Sequence, residues 1–187
     1  TGARASAVSI MFTRALVRYR SGHVASAEAD AALGLELLPE AHGAEMLAHA
    51  GTAAAVLAGI EAERPRATLE ACLDDTPYTR DPDILPYSQI LLARGTLLQV
   101  HGDHEEALRC LLACDRDGPG GAGGSPSMVW WRSAAALSLS ALGRDAEAVR
   151  LVAEEVRLAR EAQTPRAAGM AERAAALVGP ADERAAG

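Results

Sequence analysis

Four alanines recur along this chain at a nearly constant interval. Ala27, Ala67, Ala107 and Ala148 are separated by 40, 40 and 41 residues. A fixed period of this size across 187 residues is the mark of a repeat array, in which each unit buries its apolar face against the next. Each alanine stands five residues after a turn position, occupied by Gly22, Ala62, Gly102 and Gly143. A helical pattern precedes each turn and another follows it, so each unit reads as a helical hairpin. The hairpins fall at about 5–39, 43–75, 85–117 and 127–162, with a terminal helix at about 166–178 and a frayed end from Pro180.

The apolar spacing within the units is helical. In the third, Leu91, Gly95 and Leu98 share a face, Gly102 stops the helix, and Ala107, Leu111 and Cys114 continue in the next. Asp103 and Glu106 have the spacing of a capping box. The fourth unit carries Ala136 and Leu139, then Ala148, Val152, Val156 and Ala159. Its charged side offers Arg150 with Glu154 and Arg157 with Glu161, each pair four apart. The first unit gives Ala15, Ala27, Ala31 and Gly34, small residues that let two helices approach closely. Thr76–Pro86 and Gly118–Pro126 read as loops, and the period continues across the second of them. The prediction is one all-α repeat domain over residues 1–187.

Composition narrows the chemistry. All 18 basic residues are Arg, there is no Lys or Asn, and Ala fills 42 positions. No P-loop lysine, lysine Schiff base or N-glycosylation site is therefore available. A net charge of −7 argues against direct nucleic-acid contact. Three cysteines at irregular spacing are no disulfide framework, which favours a reducing cytoplasm. The longest weakly polar run, Met46–Ile60, is too short to span a bilayer. The chain begins with Thr, and reads as a piece of a longer protein or a processed product.

The pattern of Gly95, Leu98, Gly102, Ala107 and Pro119 resembles the tetratricopeptide repeat. A period near 40 is similar to the longer-helix variant in regulators related to the maltose-regulon activator. The segments 22–37, 91–114, 130–160 and 164–169 resemble the superhelical arm of large ATP-binding LuxR-family regulators from actinobacteria. The resemblance implies a right-handed superhelix of four hairpins plus a C-terminal helix. It also implies a non-catalytic arm, coupling a signal or partner to flanking ATPase and helix-turn-helix domains. The alternative function is a small-molecule sensor that binds an inducer on the concave face. Partners would be another protein, a second copy of the chain or that inducer.

In such arrays the first helix of each hairpin lines the groove. Applied here, that register places Phe12, Leu16, Tyr19 and Arg20, then His49, Thr52 and Val56, along the concave face. Gln89, Leu92, Thr96 and Gln99 follow, then Trp130, Ser133, Leu137 and Ser140. The candidate binding residues among them are Tyr19, Arg20, His49, Gln89, Gln99, Trp130 and Ser133. Trp130 and Trp131 are adjacent, so one can be buried while the other faces the groove, or both can be packing residues.

Other constellations have bland readings that fit better. The letters of G-x-G-x-x-G occur at 118–123, but a dinucleotide site needs a preceding strand and a following helix. His101, His104, Cys110 and Cys114 supply zinc-ligand types, yet their placement along one turn and one helix reads as surface histidines and core cysteines. Asp74-Asp75, Glu105-Glu106 and Glu154-Glu155 are adjacent carboxylates, which point about 100° apart on a helix and read as solvated faces or caps. No catalytic site, metal or cofactor is expected, and the chain is expected not to be an enzyme.

Overall fold

The computed structural model describes residues 2–37, 87–115, 126 and 129–178. The second hairpin, with Ala62, Ala67, Cys72 and His49, lies outside the described residues. So do most of the two predicted loops and the end beyond Val178. Among the described residues there are seven α-helices and no strand: α1 (Gly2–Arg20), α2 (Val24–Leu37), α3 (Tyr87–Val100), α4 (His104–Leu112), α5 (Trp131–Ala141), α6 (Asp145–Glu161) and α7 (Pro165–Val178). A short 3₁₀ turn, Ala113–Asp115, follows α4. The chain divides into two compact units, Thr1–Leu97 and Leu98–Gly187, the division falling within α3. None of the described helices is long and apolar enough to cross a membrane.

Three turns repeat one geometry. Gly22, Gly102 and Gly143 all have positive φ, at 80°, 80° and 73°. Each glycine N–H donates three residues back, to Tyr19, Gln99 and Ser140, while the next N–H donates five back, to Arg18, Leu98 and Leu139. That pair of bonds is the Schellman motif, which satisfies carbonyls a helix end leaves open. Gln163, between α6 and α7, holds the same left-handed backbone at φ 52° without being glycine.

The alanines then bring the helices together. Ala27, Ala107 and Ala148 are fully buried. In the first unit, Val8, Phe12 and Ala15 of α1 are buried, as are Ala27, Ala31 and Gly34 of α2. A Cβ at Gly34 would stand 2.7 Å from Phe12 Cδ1, so only glycine admits that ring. In the second unit, Ala159 of α6 packs with Ala167 and Ala171 of α7, flanked by Val156 and Ala168. Buried small residues at these seams fit the short interaxial distances of helical hairpins.

Three local expectations change. Asp103 stands at the N-cap of α4, but its side chain makes no capping hydrogen bond. Its expected partner Glu106 instead pairs with Arg109, one turn on. Glu154 pairs with Arg157 and not with Arg150, because Arg157 reaches it with two nitrogens at 2.6 and 2.8 Å. Phe12 and Leu92, placed on the groove by register, are core residues, the larger apolar surface having gone inward.

The turns make a direct prediction. Nothing lies within 4 Å of a Cβ added at Gly22, Gly102 or Gly143, so substitution there is opposed by backbone conformation alone. Gly143→Ala is expected to lower the unfolding free energy by about 1 kcal/mol. Gln163→Ala should be nearly neutral, because that position already bears the left-handed strain. Urea denaturation of the two variants tests this; an unchanged midpoint for Gly143→Ala would count against it.

Candidate functional site

The seven candidate groove residues meet different fates. Tyr19 is half-buried and Arg20 exposed, both at the end of α1. His49 lies outside the described residues, as does the side chain of Gln89 on α3. Gln99 Nε2 donates to the Ala134 carbonyl at 2.6 Å and to Ser138 Oγ at 2.7 Å, so its amide ties the end of α3 to α5. Ser133 is 4% exposed and lies within the packed interior. Trp130 is half-buried just before α5, with the Arg166 guanidinium 5.3 Å from its ring centre. Trp131 is the buried one of the pair.

The remaining donors of that register are also engaged locally. Thr96 Oγ1 donates to the Leu92 carbonyl of its own helix, and Ser140 Oγ to Asp145. Ser133 Oγ, by contrast, is buried without a hydrogen-bond partner among the described residues.

A different cluster has more pronounced chemistry, and the sequence reading missed it. Arg132 of α5 and Glu155 of α6 are both interior, their side chains 6% and 1% exposed. This corrects the reading of Glu154-Glu155 as a solvated pair, which holds for Glu154 alone. Ala148, Val152, Glu155 and Ala159 are spaced four, three and four apart, so Glu155 stands on the buried stripe of α6. Arg132 likewise falls four before Ala136 and seven before Leu139 on α5. That periodicity was the available signal, and the charge itself concealed it.

The two charges attract without closing. Arg132 Nη1 lies 3.6 Å from Glu155 Oε2, too far for a hydrogen bond, and neither carboxylate oxygen has a hydrogen-bond partner. Arg132 Nη2 donates to Asp115 Oδ1 at 3.2 Å, and its guanidinium carbon lies 4.3 Å from the Trp131 ring centre. Burial pushes the Glu155 carboxyl up to about 7, against the pull of Arg132, while the neighbouring Glu154 charge raises it further. In the first unit the opposite holds. Buried Asp30 accepts from Arg14 Nε and Nη2, both at 2.7 Å, and from Arg18 Nη1 at 2.8 Å. Those bonds hold the Asp30 carboxyl below its ordinary range.

The cysteines of the described residues have no reactive surroundings. Cys110 and Cys114 are buried, and burial pushes the Cys114 thiol up to about 12, far from thiolate at neutral pH. Among the described residues no three His, Cys, Asp or Glu side chains converge as a metal site.

No protein-family model, curated protein or solved structure matches the chain.

Glu155 makes stability depend on pH. The folded chain keeps its proton until about pH 7, whereas unfolded Glu155 releases it near 4.5. Between those values the folded state binds more protons, so this group's contribution to stability falls as pH rises, then levels off. The loss is on the order of 1–3 kcal/mol for a shift of this size. Glu155→Gln should therefore raise the melting temperature at pH 8 and change it little at pH 4.5. Thermal melts across that range test it, and a parallel shift at both ends would refute the assignment.

Proposed function

We propose that this chain is a non-catalytic protein-interaction arm, as in the LuxR-family regulators its repeat phrases resemble. In such a regulator it would couple partner binding to ATPase and DNA-binding domains. The observation that carries the reading is a second apolar face on α1. Val8, Phe12 and Ala15 are turned into the core. Ile10 and Val17, seven apart and on another side of the helix, are 61% and 58% exposed. Thr13 lies between them, and the three border a shallow depression with Ser9 and Arg14. A helix with apolar residues on two sides is one that is normally covered on both. In repeat logic the natural cover is another helical hairpin, from a partner or a second copy.

Arg14 helps keep the stripe apolar. Its guanidinium is held on Asp30, on the side where α1 meets α2, and so is turned to an acid of its own unit. The concave-face sensor reading has weaker support, because Gln99 is bonded to α5 and Ser133 is buried in the second unit.

Sedimentation velocity tests the interaction reading. The wild-type chain is expected to self-associate or to bind a helical partner. The double substitution Ile10→Asp with Val17→Asp should abolish that association while leaving helix content unchanged by circular dichroism. Association that persists in the double variant would remove the stripe as the interface.

A further inference from the structure

One expected ion pair that does not form points to a separate site in the second unit. Arg150 and Glu154 have the spacing of a helical ion pair, yet Arg157 takes both oxygens of Glu154 and also reaches Glu161 at 2.5 Å. Glu147, one turn before Arg150, is taken in the same forked way by Arg144 at 2.7 and 2.8 Å. Both carboxylates beside Arg150 are thus hydrogen-bonded to other arginines, although the Arg150 charge still acts on Glu147. Arg150 itself is exposed and has no hydrogen-bond or ion-pair partner among the described residues.

Beneath this rim lies an apolar floor drawn from three helices. Leu112 of α4, Leu139 of α5 and Leu151 of α6 line an open cavity of about 280 Å³ that Arg144, Glu147, Arg150 and Glu154 complete. Leu112 is 45% exposed although it is large and apolar. An arginine with no hydrogen-bond partner, lining the same cavity as three leucines, matches a ligand with an alkyl body and a single negative head. The volume is close to the lower end of small-molecule pockets, roughly 300 Å³.

We propose that the Leu112–Leu139–Leu151 cavity binds a small amphipathic carboxylate, its alkyl chain on the leucines and its head group on Arg150. The planar guanidinium offers two parallel donors to a carboxylate, which fixes the orientation of the head. The bonded state of Glu147 and Glu154 removes the repulsion two free acids would otherwise exert on that head. This function goes beyond the interaction reading, and it uses neither the α1 stripe nor the concave-face candidates.

Isothermal titration of the whole 187-residue chain with octanoate tests it, with octanol and octylammonium as controls of equal chain length. Octanoate should bind with one site per chain, octanol more weakly and octylammonium not at all. Arg150→Gln should weaken octanoate at least tenfold and leave octanol unaffected; Leu151→Asp should remove both. Circular dichroism establishes that each variant is folded. Equal binding of octanoate and octanol, an unchanged affinity in Arg150→Gln, or no binding of octanoate overturns the proposal. A dimer that Leu112→Asp disperses, insensitive to octanoate, would assign the floor to a second copy and overturn it as well.

Discussion

Close contact between helices is the constraint on which the described structure depends, and small residues make it possible. At Gly34 the requirement is absolute, since the Phe12 ring fills the space a methyl group would occupy. At Ala27, Ala107 and Ala148 a larger side chain would hold apart helices that are now fully in contact. Alanine also favours the helix itself, so local preference and packing agree at these positions. The glycine turns complete the arrangement by reversing the chain within a few residues. Gly22 brings α2 back against α1, and Gly143 brings α6 back against α5.

Against this economical packing, the two buried acids show different solutions to one problem. Asp30 is surrounded by three donor nitrogens on Arg14 and Arg18, so its charge is stabilised where it lies. Glu155 has one opposite charge nearby, a like charge on Glu154 and no hydrogen bond, so desolvation prevails over attraction. The difference lies in how the cations are presented. Arg14 and Arg18 are about half and a third exposed and reach inward from the surface, retaining part of their hydration. Arg132 is itself buried, divided between Asp115, Trp131 and Glu155. A buried pair of that kind, at 3.6 Å and without hydrogen bonds to its carboxylate, is weak support for stability.

Much of the helical framework was legible in the sequence, and the reason is periodicity. Turn glycines, alanine spacing and apolar faces all follow from the chain's own geometry, and Leu91, Gly95 and Leu98 are buried together as their spacing requires. The site chemistry was less legible because it depends on contacts between helices. Nothing local to Asp30 announces two arginines sixteen and twelve residues away. Glu155 was misread for a subtler reason. Its position on the stripe was readable, but a carboxylate is so seldom fully buried that its neighbour Val156 was assigned there instead. Gln99 and Ser133 fit a groove register by spacing alone, whereas in the structure one bonds to α5 and the other is enclosed.

The absence of lysine also acquires a structural meaning. Asp30, Glu147 and Glu154 are each gripped by the Nε and an Nη of one arginine, a two-point contact that fixes the direction of approach as well as the distance. A lysine at 14, 144 or 157 would keep the charge and lose the fork. On the exposed face of α6 the energetic difference would be small, because surface pairs contribute little. Their effect is directional: by claiming Glu154 through two bonds, Arg157 leaves Arg150 without the partner its spacing offered. At Asp30 the consequence is larger. Its carboxylate is buried, and an ammonium at 14 would replace the two fixed donors of Arg14 by a single point contact inside the α1–α2 seam, leaving Arg18 as the other partner. The same arginine-only composition therefore has two outcomes, a saturated carboxylate in the first unit and, on the surface of the second, an arginine left without a hydrogen bond among the described residues.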